Sequence, residues 1–399
     1  MKLLFALWIV LMSASACTDS ATSTDSIEVE PFGKGPYSVG STNMEVADDF
    51  AEIGDEEMHE YLLGRAEQPH KPRFIADILK YPESAWIDHI KVPDDGALYG
   101  PASGLTLPVV TYLTYPTTDK VRKNRYEFPY HDAMYGVFEN MLDDGETPDF
   151  PSPDERYPLI ILSHGSEAHG IYDVDHAQSL ASHGYIVAVI NYGDDRTAVP
   201  GTRNHHVMFL RPFLTKAVLD SLIQSESFGA HIDTDNIGIT GHSFGGFTAL
   251  AASGGAILGN TATVRDPRIK AISLAAPWVG GHYDGSDFHA FGQDNGGLNR
   301  VSVATICFFG TRDEDTLASF ILPAARRLSG STYVIELVDQ PHIFEEASWE
   351  DRNNWELLFF SAYLKHDPAS LTTLRTANSM KGGNEDYQLM DYQRVTRGD

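Results

Sequence analysis

Gly241-His242-Ser243-Phe244-Gly245 sets a serine between two glycines in the pattern G-x-S-x-G. Such a serine becomes a nucleophile when a strand runs into it and a helix leaves it, because the sharp turn between them exposes the hydroxyl. Residues 237–240 are short and apolar enough for a buried strand, and residues 246–258 are small and apolar enough for a buried helix. Both glycines then have a reason, since side chains at 241 and 245 would collide with neighbouring backbone. Three fixed positions in five recur by chance, so the chemistry depends on what else the chain supplies.

A serine hydroxyl needs a base to take its proton and a carboxylate to orient that base. Residues 303–309 are a run of β-formers ending in Gly310-Thr311-Arg312-Asp313, which places an acid just past the carboxyl end of a strand. Residues 333–338 form another such run, followed by Gln340-Pro341-His342-Ile343-Phe344. The chain order Ser243, Asp313, His342 is that of α/β-hydrolases and differs from the orders in chymotrypsin and subtilisin. Asp315, in an Asp-Thr pair two residues on, is the alternative acid.

The tetrahedral intermediate of such a reaction also requires two backbone N–H donors. Phe244, the residue after the serine, supplies one. The other is assigned to Ser166, because residues 157–162 read as a strand running into Ser163-His164-Gly165-Ser166. His164 could pass for the base, but its place before the glycine of this turn gives it a structural role.

These residues must be positioned by elements that alternate between strand and helix, as a mostly parallel sheet requires. Residues 172–183 suit a helix, 185–190 a buried strand and 269–276 another strand. Residues 205–224 carry Val207, Leu210, Leu214, Val218 and Leu222 at helical spacing, and 348–365 make an amphipathic closing helix with Trp349, Trp355, Leu358, Phe359 and Tyr363. The expected fold is α/β of the α/β-hydrolase kind, a mostly parallel central sheet flanked by helices with loop insertions near the site. Its catalytic domain runs over 35–366, with insertions at about 48–100, 119–156 and 280–300. Residues 44–61 are expected to pack as an added helix, and 367–399 as a loosely packed polar tail.

Residues 36–365 resemble bacterial secreted esterases related to platelet-activating-factor acetylhydrolases and to cutinase-like polyesterases. The resemblance rests on Gly35-Pro36-Tyr37-Ser38-Val39-Gly40, on residues 107–116 ending in Tyr115-Pro116, and on Ser163-His164-Gly165 with the run from Leu180 to Val187. The elbow Gly241-His242-Ser243-Phe244-Gly245-Gly246 has the form common there, and Pro277-Trp278 is similar to the Pro-Trp that lines a subsite in cutinase-like enzymes. It implies Trp278 and His242 as substrate contacts. The chain departs from the polyesterases at Ser166-Glu167-Ala168, which lacks their aromatic clamp, and from the related dienelactone hydrolases in using serine where they use cysteine.

The rest of the composition bounds the reading. With 399 residues, 42% of them hydrophobic, the chain can bury one large core. A net charge of −27 argues against nucleic acid as a partner. His282, Asp284 and His289 lack the tight spacing of a metal motif, so no metal is assigned; His205-His206 reads as a surface or pocket-lining pair. Residues 1–16 have the charged start, apolar stretch and Ala14-Ser15-Ala16 cleavage site of an export signal, followed by a polar tether over 17–34. Cys17 directly after the signal reads as a lipid-attachment point on the cell envelope, with free secretion as the alternative because Ala14 replaces the larger residue usual there. Cys307 is then the one cysteine left in the chain interior, and no intramolecular disulfide is expected.

The expected activity is hydrolysis of short-chain or acetyl carboxylic esters through an acyl-enzyme, with no cofactor and a small-molecule ester as partner. A polyester substrate, a serine peptidase or amidase on the same fold, and a binding protein on a hydrolase scaffold are the alternatives.

Overall fold

An unbroken apolar run forms a strand only where both faces of the sheet are covered, and the central strands of this protein are of that kind. The computed structural model describes residues 27–68, 71–118, 125–131, 136–143, 145–193, 203–261, 265–384 and 386–391. The expected export signal, Cys17, the first part of the tether and part of the 119–156 insertion lie outside the described residues. Ten strands share one sheet: β1 (Ser38–Ser41), β2 (Trp86–Lys91), β3 (Thr106–Thr117), β4 (Tyr157–Ser163), β5 (Ile186–Asn191), β6 (Ile232–His242), β7 (Ile269–Ala275), β8 (Ala304–Gly310), β9 (Thr332–Leu337) and β10 (Asp386–Asp391).

Their order is β10-β9-β8-β7-β6-β4-β5-β3-β1, with β2 also paired to β3. The pairs from β5 through β4, β6, β7 and β8 to β9 are parallel. Antiparallel pairs close both sides, β3 with β5, β1 and β2, and β10 with β9. Among the described residues, seven helices of eight or more residues flank the sheet: α1 (Asp55–Leu63), α2 (Val174–Ser182), α3 (Arg203–Gln224), α4 (Phe244–Ala252), α5 (Ala318–Ala325), α6 (Glu346–Leu364) and α7 (Pro368–Thr376). One core joins α3, α4 and α5 to one face, and a second joins α1, α2, α6 and α7 to the other. The architecture is therefore α/β, with all residues of β4 and β5 buried between the two layers.

Three expectations need correction. The 44–61 stretch is helical only from Asp55, because Met44 and Val46 instead enter the second core as extended chain and Val46 bridges to Leu79. The region read as an inserted segment at 48–100 contributes β2 to the sheet itself. The described part of the tail, up to 391, is not loosely packed: α7 docks Leu374 into the second core, Ser379–Met380 pairs in parallel with Glu28–Val29, and β10 covers the edge of β9. A one-sided edge strand needs few apolar residues, so its sequence resembles that of a polar tail.

Beneath β6 runs a buried ionic network. Glu356 on α6 accepts hydrogen bonds from His176 Nε2 (2.7 Å) and Thr240 Oγ1 (2.7 Å) and forms an ion pair with Arg352 Nη2 (2.8 Å). Burial alone would raise the Glu356 carboxyl, but Arg352 and His176 outweigh it and hold it at about 2. Thr240 lies three residues before Ser243, so the network fixes the strand that leads into that serine. Breaking one partner of a buried pair leaves the other uncompensated and costs about 3–5 kcal/mol. Glu356→Gln is accordingly expected to lose that much at pH 7 in urea denaturation. Because the folded value lies below the ordinary 4.5, the stabilisation is complete above 4.5 and lost as pH falls toward 2. The gap between wild type and variant should therefore close across that acid range.

Candidate active site

The turn after β6 carries Ser243 at φ 55°, in the left-handed region that a non-glycine residue rarely occupies. It is pinned on both sides: Ser243 N–H donates to Ala275 O (2.8 Å), and Ser243 O accepts from Trp278 N–H (3.0 Å). The glycines leave no alternative residue. A Cβ on Gly245 would lie 1.8 Å from Ser163 O, and one on Gly241 would lie 2.4 Å from the carbonyl carbon of Gly245. The elbow thus packs backbone to backbone against the end of β4, and Ser243 begins α4 at the carboxyl edge of the sheet, where open α/β sheets bind ligands.

Asp313 follows β8 and is buried, with both carboxylate oxygens fully engaged. Oδ1 accepts from the N–H of Asp315 (2.9 Å) and of Thr316 (2.7 Å), while Oδ2 accepts from Thr316 Oγ1 (2.6 Å) and His342 Nδ1 (2.9 Å). Burial pushes this carboxyl up, yet the hydrogen bonds from His342 and Thr316 outweigh it and hold it below the ordinary range. An ionised Asp313 makes Nδ1 the protonated nitrogen of His342, which leaves Nε2 as the basic one. Asp313 is the acid that bonds to the ring in this structure; exposed Asp315 contributes its backbone N–H.

Asp313, Asp315 and His342 also bring one ligand atom each within 4.8 Å of one another. Such a group could bridge a divalent cation, but Asp313 and the imidazole already satisfy each other. His282 and His289, weighed in the sequence as ligands, have other partners: His282 pairs with Asp287 at 2.6 Å across the hairpin of Gly280–Tyr283 and Ser286–His289, and both rings pack on Phe320.

The loop bearing His342 is tied to the acid loop through Arg312 N–H to Gln340 O (2.9 Å) and Asp339 N–H to Thr311 Oγ1 (2.8 Å). His242 adds a brace. Its Nε2 donates to His342 O (2.9 Å), its ring lies 4.7 Å from that of His342, and it packs against Trp349 on α6. Burial, and then the neighbouring His342, lower its pKa to about 4, so His242 is neutral. His242, expected as a substrate contact, commits its Nε2 donor to the loop that carries His342. Trp278 stands against Phe244 (5.4 Å between ring centres), and Phe247 and Phe288 extend the same aromatic wall.

Opposite the elbow, the Ser163-His164-Gly165 turn approaches so closely that a Cβ on Gly165 would sit 3.5 Å from Ser243 Cβ. Among the described residues no backbone carbonyl takes the N–H of Ser166 or of Phe244. Phe244 N–H is one of the unpaired donors at the start of α4. His164 does not face Asp313: its Nδ1 bonds to Gly165 O (2.8 Å), and its Nε2 accepts from Tyr192 N–H (3.4 Å).

Two groups of site neighbours escaped the sequence reading. Buried Arg211 donates to the carbonyls of His164 and Gly165, and a sign of it was present, since 211 falls in the apolar stripe of Val207, Leu214 and Val218 where a charge is out of place. His59, Tyr130, His169 and Tyr172 form an aromatic cluster beyond that turn, with Tyr130 Oη bonded to His59 Nδ1 (3.2 Å) and Tyr172 Oη (3.0 Å). Its members come from three distant segments, and no local pattern joins them.

An α/β protein with a serine at a strained elbow and an Asp-paired imidazole beside it has the parts of a nucleophilic acyl-transfer site. The family described as platelet-activating factor acetylhydrolase, isoform II, matches residues 133–206. The chain is also similar to the platelet-activating factor acetylhydrolase of Canis lupus familiaris, with 32% identity over 144 residues that cover 25% of this chain and 32% of that protein. The chain thus spans about a third of the length of the curated relative it matches. The family match takes in β4, the Ser163-His164-Gly165 turn, α2 and β5, and stops before Ser243. Among the resemblances read from the sequence, this is the one these comparisons carry.

The elbow gives a direct test. Gly245→Ala forces a methyl into Ser163 O and is expected to destabilise the protein by at least about 3 kcal/mol in thermal or urea unfolding, the upper end for overpacking because backbone cannot yield. Gly296→Ala, where an added Cβ meets nothing within 4 Å, serves as the neutral control.

Proposed function

We propose that this protein is a carboxylic ester hydrolase with an α/β-hydrolase fold that works through Ser243, His342 and Asp313. The observation that carries the reading is the 2.9 Å bond between Asp313 Oδ2 and His342 Nδ1 next to the Ser243 elbow. In the first half-reaction Ser243 Oγ attacks the ester carbonyl carbon while its proton passes to His342 Nε2, and the carbonyl π electrons move onto oxygen. The N–H groups of Phe244 and Ser166 receive that oxyanion. Collapse of the intermediate breaks the bond to the alkoxy group, which leaves with the proton from His342. Water then repeats the sequence on the acyl-enzyme, giving His342 a proton and releasing the acid and free Ser243.

Asp313 keeps the ring in the productive tautomer and stabilises the imidazolium. Trp278 and the aromatic wall beside Phe244 supply an apolar surface for the ester. The dog relative is by name an acetylhydrolase, and acetyl or other short-chain esters are the substrates assigned here. Residues 1–16 support export, and Cys17 supports attachment to the cell envelope.

Turnover of p-nitrophenyl acetate and covalent labelling by a fluorophosphonate are expected of the wild type, and both should vanish in Ser243→Ala. A Ser243→Ala protein with full activity sinks the reading. Asp313→Asn is expected to lower kcat by about 10⁴-fold, as loss of the orienting acid does in serine hydrolases. Asp315→Asn keeps its backbone N–H and should remain within a few-fold of wild type; the reverse ranking would reassign the acid.

A further inference from the structure

We infer that Arg211 is a positioning residue that aims the oxyanion donors, an assignment that rests on the reading of Ser243 as nucleophile. Arg211 lies on α3 and is 1% exposed. Its guanidinium makes two hydrogen bonds to one turn, Nη1 to His164 O (2.6 Å) and Nη2 to Gly165 O (3.0 Å). The same group lies 4.8 Å from the ring centre of Tyr192 and 5.0 Å from that of Phe244. One cation therefore touches both halves of the oxyanion site: the turn that ends in Ser166, and Phe244 itself.

The geometry of the peptide bond converts this contact into a direction. Gly165 C=O and Ser166 N–H belong to one planar trans unit and point opposite ways. Drawing Gly165 O toward Arg211, with His164 Nδ1 as a second donor to the same oxygen, turns Ser166 N–H away from the helix and toward the side where Ser243 lies. Without the guanidinium, that peptide would keep only the bond from His164 Nδ1, in a turn that carries Glu167 in the left-handed region (φ 53°). Only arginine presents a planar fork that reaches two neighbouring carbonyls at once; lysine is a single point charge.

Loss of one oxyanion donor lowers kcat by about 10²–10³-fold. Arg211→Gln is accordingly expected to lower kcat for p-nitrophenyl acetate by about 100-fold, with KM within threefold and with active sites counted by fluorophosphonate titration so that unfolded protein does not enter the rate. Arg211→Lys keeps the charge and should recover only part of the loss. A trifluoromethyl ketone, whose carbonyl becomes an oxyanion when Ser243 Oγ adds and its proton passes to His342, should lose affinity by the same factor as kcat/KM. A merely structural arginine would lower the melting temperature and the titratable fraction but leave kcat per active site and inhibitor affinity unchanged, and that result overturns the assignment. If Arg211→Gln fails to fold, Arg211→Lys decides it by the same two readouts. Wild type that is neither labelled at Ser243 nor active overturns the nucleophile and this inference together; labelled wild type with unchanged Arg211 variants overturns Arg211 alone.

Discussion

The structure depends on one close approach: Gly245 lies against the carbonyl of Ser163 with no side chain between them. That contact sets the end of β6 beside the end of β4. It forces Ser243 into a left-handed conformation, and it brings the turn of His164 and Gly165 up to the serine. Hydrogen bonds from Ser243 N–H to Ala275 O and from Trp278 N–H to Ser243 O then lock the elbow to the end of β7. A strained residue persists only where its surroundings over-determine it, and here three strand ends do so.

Around this point the supporting groups act on backbone as often as on side chains. Thr316 and Asp315 hold the Asp313 carboxylate with their N–H groups, His242 holds the carbonyl of His342, and Arg211 holds the carbonyls of His164 and Gly165. The network of Glu356, Arg352, His176 and Thr240 does the same for β6 from below. Loops at the rim of a sheet have few apolar contacts of their own, so buried polar groups take over the work of fixing them.

Much of the fold was legible because its strands are buried on both faces and its helices carry apolar stripes. β4, β5, β7, β8 and β9 fall within one or two residues of the runs seen in the sequence, as does α6. What could not be read were the elements whose stability comes from their neighbours. β10 is an edge strand with polar residues, and residues 44–47 are non-helical chain held by bonds to the distant 78–80 segment before the turns at 48–53. The partner of His242 could not be read for a similar reason, since His342 is a hundred residues away.

Local sequence determined where a nucleophile, an acid and a base could stand, because a tight turn demands glycine and a strand end demands a preceding run of β-formers. It could not choose between Asp313 and Asp315, which are two residues apart and chemically alike. Tertiary structure decided that Asp313 reaches His342 while Asp315 faces solvent, since the direction of a side chain in a turn depends on which backbone donors it accepts. It also decided that an arginine in an apolar helix stripe meets two carbonyls, since burial of a charge is tolerable only where distant backbone satisfies it.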